Sequence, residues 1–341
     1  MSKKVGMYGG KFLPFHQGHL NAIIEASTLC DELFVILSYD EEYEKKLFKT
    51  SKLDPIPYQM RLRWIRQATK ELPHVKSIAI SETYTNDLYD WKQGAKNILS
   101  EIGQQIDVVF SGEERYTKIF QELYPNAFHI VFDRNKVPIS GTKIREEGAF
   151  KYWDYIPNVA RPYYTKKVMI IGTESCGKST LVHNLASYYN TNYVKEYGRT
   201  ICEALDGYED VFTEDLFPQI AYKQKVDEFE AIKYSSKLLF VDTGAYVTKY
   251  FRDVFTGTTD DELYEEIAKH HKYDLWLLLE PDVRWVDDGT RTMGEDRVRE
   301  DNNRRLKEIL NENNINYHSI EGNYNMRFKT SINLVDRLLD Q

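Results

Sequence analysis

Two stretches of this chain carry residue types whose spacing suits phosphate chemistry. The first is Gly9-Gly10-Lys11-Phe12-Leu13-Pro14-Phe15-His16-Gln17-Gly18-His19. Its glycines let the backbone come close to a ligand, and Pro14 fixes the loop. Gly18 and His19 open a predicted helix, whose N-terminus offers unpaired N–H groups and partial positive charge to an anion. His16 and His19 stand three residues apart, so both imidazoles can face one phosphate. A plain strand-to-helix turn with two incidental histidines is the alternative, but the full string GxFxPxHxGH is more specific than a lone HxxH. Metal binding is a further alternative, and no third ligand sits at suitable spacing. About 120 residues on comes Ile139-Ser140-Gly141-Thr142-Lys143-Ile144-Arg145. Ser140 reads as a helix N-cap, and Ser140, Thr142 and Arg145 can reach one phosphate group.

The second stretch, Gly172-Thr173-Glu174-Ser175-Cys176-Gly177-Lys178-Ser179, fits GxxxxGK[ST] at every fixed position and is followed by Thr180. Such a loop wraps a β-phosphate with N–H groups, its lysine bridges the β- and γ-phosphates, and its serine ligates Mg2+. Asp242 closes the apolar run 238–241, as a metal-holding carboxylate would; a helix N-cap is the plainer role. Glu196 opens Glu196-Tyr197-Gly198-Arg199 after a short strand, where a carboxylate can face an acceptor hydroxyl. Spacing alone ranks neither Glu196 nor Asp242 as the base. In Trp285-Val286-Asp287-Asp288-Gly289-Thr290-Arg291, the acids suit ribose hydroxyls, the tryptophan a flat ring, and Arg291 a lid over the γ-phosphate. The arginines that follow, at 297, 299, 304 and 305, read mostly as a solvated helix face.

Both motifs need strands and helices to aim them. Apolar runs at 5–8, 33–37, 75–80, 108–110 and 129–132 predict buried strands, and helical periodicity falls at 19–29, 58–72, 90–102 and 115–123. The alternation restarts with strands at 167–171, 238–241, 275–279 and 315–320. Helices are expected at 178–189, 215–234, 296–313 and 323–339. Strands alternating with helices imply a parallel sheet covered on both faces. The expected fold class is therefore α/β, with two doubly wound parallel-sheet domains over 1–155 and 167–341. A proline- and tyrosine-containing connector at 156–166 joins them.

With 341 residues, two domains is the natural expectation. Hydrophobic residues at 42% and charged residues at 29% give a globular balance. No apolar run reaches the ~18 residues of a membrane span, and the N-terminus lacks a secretory pattern. Cys30, Cys176 and Cys202 are widely spaced, so the cytoplasm is the simplest compartment. A net charge of -8 argues against a nucleic-acid coat, though not against phosphate, which local groups hold.

The first motif pair resembles the HxGH nucleotidyltransferase superfamily, whose ISxTxxR element is met by residues 139–145. Joined in this order to a P-loop, the chain resembles the NadR-type bifunctional enzymes. IPNVARPYY at 156–164, EYGR at 196–199 and WVDDG at 285–289 carry the likeness further. The resemblance implies a Rossmann-like nucleotidyltransferase domain and a P-loop kinase domain. It implies phosphorylation of nicotinamide riboside to nicotinamide mononucleotide (NMN) with ATP and Mg2+, then transfer of AMP from ATP to NMN, giving NAD and pyrophosphate. Gly9, Gly10, Lys11, Phe12, His16, His19, Ser140, Thr142 and Arg145 would meet ATP in the first domain, with Ser111 near the adenine. Trp91 would stack on nicotinamide; its plainer role is helix packing. In the kinase, Tyr197, Arg199, Trp285, Asp287 and Asp288 would hold the riboside.

Two departures stand out. The family commonly has an acid where this chain has Gly244, which loads more weight on Asp242. Some relatives carry an N-terminal helix-turn-helix, and a first strand at about Val5 leaves no room for one, so no nucleic-acid partner is expected. Self-association is left open. The competing readings are another acceptor, such as pantetheine phosphate, with an unrelated kinase attached, and a nucleotide sensor without turnover.

Overall fold

The computed structural model describes residues 3–85, 88–205, 212–258, 262–269, 272–286 and 295–340. The chain splits into two compact units, Met1–Arg161 and Pro162–Gln341. The break falls inside the stretch read as a connector.

The first unit runs β1 (Val5–Gly10), α1 (Gln17–Ser27), β2 (Glu32–Tyr39), α2 (Glu41–Phe48), α3 (Tyr58–Ala68), β3 (Val75–Ser81), β4 (Tyr84–Thr85), β5 (Leu88–Tyr89), α4 (Trp91–Ile102), β6 (Val108–Ser111), α5 (Thr117–Leu123), β7 (Phe128–Val131) and α6 (Gly141–Glu147). Five strands form one parallel sheet in the order β3-β2-β1-β6-β7. The central strands β1, β2 and β6 are largely apolar and buried, as a parallel sheet covered on both faces requires, whereas the edge strands β3 and β7, expected to be buried, are mostly part-exposed because each has a neighbour on one side alone. In β2, Phe34 and Ile36 join Val5, Met7 and Val109 under Ala95 and Ile102 of α4. Leu33, Val35 and Leu37 point to the opposite face and are equally buried. The winding reverses between β1 and β6, and such sheets bind ligands outside the strand ends at that point.

The helix α7 (Arg161–Tyr164) begins on the last residue of the first unit. The second unit continues with β8 (Lys166–Gly172), α8 (Lys178–Tyr188), β9 (Tyr193–Val194), α9 (Tyr197–Leu205), α10 (Leu216–Ile232), β10 (Leu238–Asp242), α11 (Ala245–Thr256), α12 (Glu262–Lys269), β11 (Leu275–Leu279), α13 (Asp296–Glu312), β12 (His318–Ile320) and α14 (Tyr324–Leu339). Its sheet is parallel, in the order β12-β11-β8-β10-β9. Val168, Ile170, Phe240 and Leu277 face α8 and α14 through Leu181, Leu185 and Val335. Met169, Ile171, Val241 and Leu278 face α11 and α13 through Val247, Tyr250, Leu306 and Leu310. Helices thus cover both faces of this sheet. Five helices, α2, α7, α9, α11 and α12, occupy stretches in which the sequence pattern predicts none.

Two candidate nucleotide sites

In the first unit, a cavity of about 670 Å³ opens at the C-terminal ends of β1 and β6. Gly9, Gly10, Lys11, His16, Gly18, His19, Trp91 and Ser111 all line it. A Cβ on Gly9 would find its nearest neighbour 3.9 Å away. Packing within the protein therefore leaves the wall beside Gly9 open to a ligand. Gly18 is different, because a Cβ there would lie 3.1 Å from the His16 ring. Its absence lets that imidazole sit over the start of α1. Phe12 does not line the cavity. It is buried with a φ of 50° and sets its ring edge-on to His19, 5.0 Å between centroids. Its role here is to prop the loop, in a backbone conformation that residues other than glycine adopt only at a cost.

The His16 and His19 rings stack, 3.7 Å apart and 19° from parallel. Burial pushes the His16 imidazole down to about 4, and the Arg134 charge adds to the effect. Burial also takes His19 well below its usual value, followed by its neighbour His16 and then Arg134. Both rings are therefore neutral at pH 7. They can donate N–H hydrogen bonds to a phosphate oxygen but bring no formal charge, a point that residue type and spacing could not reveal.

The 139–145 element is fastened directly to the histidine loop. A Cβ on Gly141 would sit 2.4 Å from the Leu13 carbonyl oxygen, so glycine is required for α6 to approach. The Arg145 guanidinium donates to that same carbonyl and, at 3.1 Å, to Thr142 Oγ1. Ser140 Oγ caps α6 by accepting from the Lys143 N–H at 3.2 Å. Of the three, Arg145 alone is bonded to the histidine loop, Thr142 is bonded to Arg145 and Ser140 caps α6, and none of them lines the cavity itself.

Trp91 begins α4 behind the Asp90 N-cap and forms part of an aromatic wall. Tyr89 meets it edge-on at 5.0 Å, Tyr116 at 5.4 Å and Phe120 at 6.1 Å. Ser111 is buried, and its hydroxyl lies 2.8 Å from His129 Nε2, whose Nδ1 is 2.8 Å from Thr117 Oγ1. This chain of contacts pins the end of β6 to the start of α5. Arg134, Glu113, Glu82 and Lys136 also line this cavity, and no local pattern of residues marks them.

The second unit holds a cavity of about 590 Å³ over the P-loop. Glu174, Ser175, Cys176, Gly177, Lys178, Ser179, Thr180, Glu196 and Arg199 line it. The loop conformation explains its glycines. Gly172 has φ 152°, and a Cβ there would lie 2.8 Å from the Leu279 carbonyl oxygen; Gly177 has φ 87°. Ser175, at φ 58°, is held in place by accepting the Val286 N–H at 2.8 Å. Lys178 Nζ rests on the Thr173 carbonyl at 3.0 Å. Burial opposes its charge most, but Cys176, Glu196, Asp242 and Glu174 together hold the ammonium above its usual range.

Ser179 Oγ donates to Asp242 Oδ2 at 2.6 Å. The other Asp242 oxygen, Oδ1, is buried without a hydrogen-bond partner. Burial raises this carboxyl to about 6, Glu196 pushes the same way, and Lys178 and the Ser179 bond oppose them. Gln224 fastens the site from behind. It donates to the Asp242 carbonyl at 3.0 Å and accepts from the Tyr197 N–H at 2.9 Å. Arg327, almost wholly buried, donates to the carbonyls of Cys176 at 2.6 Å, Gly322 at 2.7 Å and Glu280 at 2.8 Å. Opposite the phosphate loop stands a wall of Phe212, Phe217, Phe251 and Phe255, with Phe212 and Phe255 stacked at 5.2 Å.

Not every expected residue joins this site. Tyr197 and Trp285 do not line the cavity, and Trp285 Nε1 is buried without a hydrogen-bond partner. Asp287, Asp288 and Arg291 lie outside the described residues. Among the described residues no group of three or more His, Cys, Asp or Glu could hold a metal, and no helix is long and apolar enough to cross a membrane.

Residues 7–147 match the cytidylyltransferase-like family, and residues 167–327 match an AAA domain. The Escherichia coli K12 trifunctional NAD biosynthesis/regulator protein NadR is 33% identical over 99% of this chain and 84% of its own length. The Salmonella typhimurium counterpart is likewise 33% identical. A Mycoplasma mycoides phosphopantetheine adenylyltransferase is 31% identical over 43% of this chain and 99% of its own. Among solved structures, a NadR protein in complex with NR superposes with a TM-score of 0.81 at 23% identity. That match covers 100% of this chain and 97% of the other, and it is a likeness of fold.

Proposed function

Since the chain belongs to the NadR family of NAD-biosynthesis proteins, we propose that its second unit phosphorylates nicotinamide riboside and its first unit adenylylates the resulting mononucleotide. The observation that carries this reading is that each unit has its own phosphate loop facing its own aromatic wall. The product of one reaction is the acceptor of the other.

In the kinase, the P-loop N–H groups and Lys178 hold the β- and γ-phosphates of ATP. The Ser179 hydroxyl and Asp242 suit Mg2+, which prefers hard oxygen donors and keeps waters and phosphate oxygens in its remaining positions. The lone buried Oδ1 of Asp242 supports that fit. When bound, the ion neutralises charge that develops between the phosphates. Glu196 lines the cavity whereas Asp242 is committed to Ser179, so Glu196 takes the base role. The riboside 5′-oxygen attacks the γ-phosphorus, its proton passes to Glu196, and ADP leaves. Arg199 and the phenylalanine wall orient the acceptor.

In the transferase, a phosphate oxygen of the mononucleotide attacks the α-phosphorus of ATP, and the bond to pyrophosphate breaks. The acceptor is already ionised, so no base is needed. The task is alignment and stabilisation of the leaving anion. His16 and His19 donate N–H bonds, Gly9 and Gly10 expose backbone, and Trp91 faces the flat nicotinamide ring. Arg145 holds the loop at Leu13.

The test is a coupled assay with nicotinamide riboside, ATP and Mg2+, followed by separation of products. Mononucleotide and then NAD should form, while 4′-phosphopantetheine should accept no AMP. Binding of both substrates without either product would overturn the reading in favour of a sensor.

A further inference from the structure

The transferase cavity holds a charge arrangement that the mechanism above does not use. Three cations line it, Lys11, Arg134 and Lys136. Each is paired with a carboxylate that lines the same cavity: Lys11 with Glu82, Arg134 with Glu113, and Lys136 with Glu25 at 3.4 Å. A triphosphate entering this space meets three acids and needs the cations that those acids hold. The buried histidines supply no charge, and Arg145 is bonded to Leu13 outside the cavity lining.

Two of the three acids have a second partner in place. Glu113 Oε2 also lies 3.4 Å from Arg115 Nε, and Glu82 accepts the Tyr84 hydroxyl at 2.6 Å. Arg134 and Lys11 can therefore leave without stranding a lone carboxylate, which would otherwise offset the gain. Lys11 is further held by its position 4.9 Å over the Tyr43 ring. Arg134 has more freedom. Its side chain is about half exposed, at 56%. Its stem passes Gly112, where a Cβ would come within 2.8 Å. It is also the cation whose charge reaches both His16 and His19.

We propose that Arg134 is the phosphate clamp of the transferase, parked on Glu113 at rest and exchanged onto the triphosphate of the incoming nucleotide. Glu113 then competes with ATP for Arg134 and passes to Arg115 when it loses. An arginine suits this exchange, because its planar fork fits a carboxylate or a phosphate in the same way. The proposal rests on the transferase reading of this cavity, so its test reads binding apart from turnover.

ATP affinity is measured by calorimetry without acceptor, in a Lys178→Ala background that weakens the P-loop site. Arg134→Gln should weaken ATP about tenfold or more, the scale of one charge-assisted bond. Arg134→Lys should recover part of that loss. Glu113→Gln should tighten ATP by about threefold, because the resting competitor loses its charge. Arg134→Gln/Glu113→Gln should match Arg134→Gln alone. Weaker ATP binding in Glu113→Gln, an Arg134→Gln protein within twofold of its parent, or additive effects would each overturn the clamp. A parent protein that binds ATP tightly yet makes no NAD would instead overturn the transferase reading.

Discussion

His16 sits 5% exposed beside a second imidazole and within reach of an arginine charge. Burial first, and then the Arg134 charge, disfavour a proton on the ring. The folded protein therefore leaves His16 neutral down to about pH 4, whereas the unfolded chain protonates it near 6.5. Between those values the unfolded state binds more protons, so stability falls as pH is lowered through that window. The loss contributed by His16 should approach about 3 kcal/mol at the acid end, at about 1.4 kcal/mol per unit. An NMR titration of the ring should show a midpoint near 4; a midpoint above 6 would refute neutral phosphate contacts. Trp91 belongs to the same scale. Its ring is half-buried among Tyr89, Tyr116 and Phe120. Trp91→Ala should raise the KM for the mononucleotide while that for ATP hardly changes, and Trp91→Phe should recover part of the difference. Stacking and cation–π attraction to the nicotinamide are worth about 0.5 to 2 kcal/mol, so roughly two- to thirtyfold in KM. Unaltered mononucleotide kinetics in a stable Trp91→Ala protein would remove the residue from the site.

At the level of elements, the P-loop is set by helix α14 as much as by its own glycines. Arg327 reaches the Cys176 carbonyl from 151 positions away and ties it to Glu280 and Gly322, with Asp282 as its ion partner. Arg327→Met keeps most of the stem but leaves buried carbonyls without donors. It should destabilise the second unit by about 2 to 5 kcal/mol and raise the KM for ATP in the kinase, with adenylyl transfer unchanged. Thermal melting together with both assays checks this, and Arg327→Lys should rescue little because one ammonium cannot span three carbonyls. What is legible in the sequence depends on whether a residue's partners are local. The central strands and both phosphate loops announce themselves locally, through apolar runs and glycine spacing. Arg327, Gln224 and Arg134 do not, because each is an ordinary polar residue until the fold brings its partners near. Helix α11 escapes the sequence pattern for another reason. Its Tyr, Val, Thr and Phe residues favour strands by type, which masks the four-residue recurrence of Tyr246, Tyr250 and Val254 beside Val247, Phe251 and Phe255. Burial under the sheet overrides propensity there.

For the molecule as a whole, the question is whether two chemistries in one chain depend on each other. Each unit has its own parallel sheet, its own cavity and its own phosphate loop. Lys178 belongs wholly to the second. Its ammonium is buried at the P-loop and donates to the Thr173 carbonyl of the same loop. Replacing it removes the charge that bridges the β- and γ-phosphates during transfer. Lys178→Ala should therefore abolish measurable phosphorylation of nicotinamide riboside. Adenylylation of supplied mononucleotide should stay within about twofold of the parent, since none of the groups that line the first unit's cavity is touched. Formation of NAD from riboside should stop altogether in this protein and return when mononucleotide is added. Folding needs its own check, because burying a cavity in place of a lysine could unfold the unit. Lys178→Met, which keeps an unbranched stem of similar length, should give the same split with less effect on melting. If both variants fold and both lose adenylyl transfer as well, the two cavities do not work as separate sites, and the assignment of one reaction to each unit fails with them.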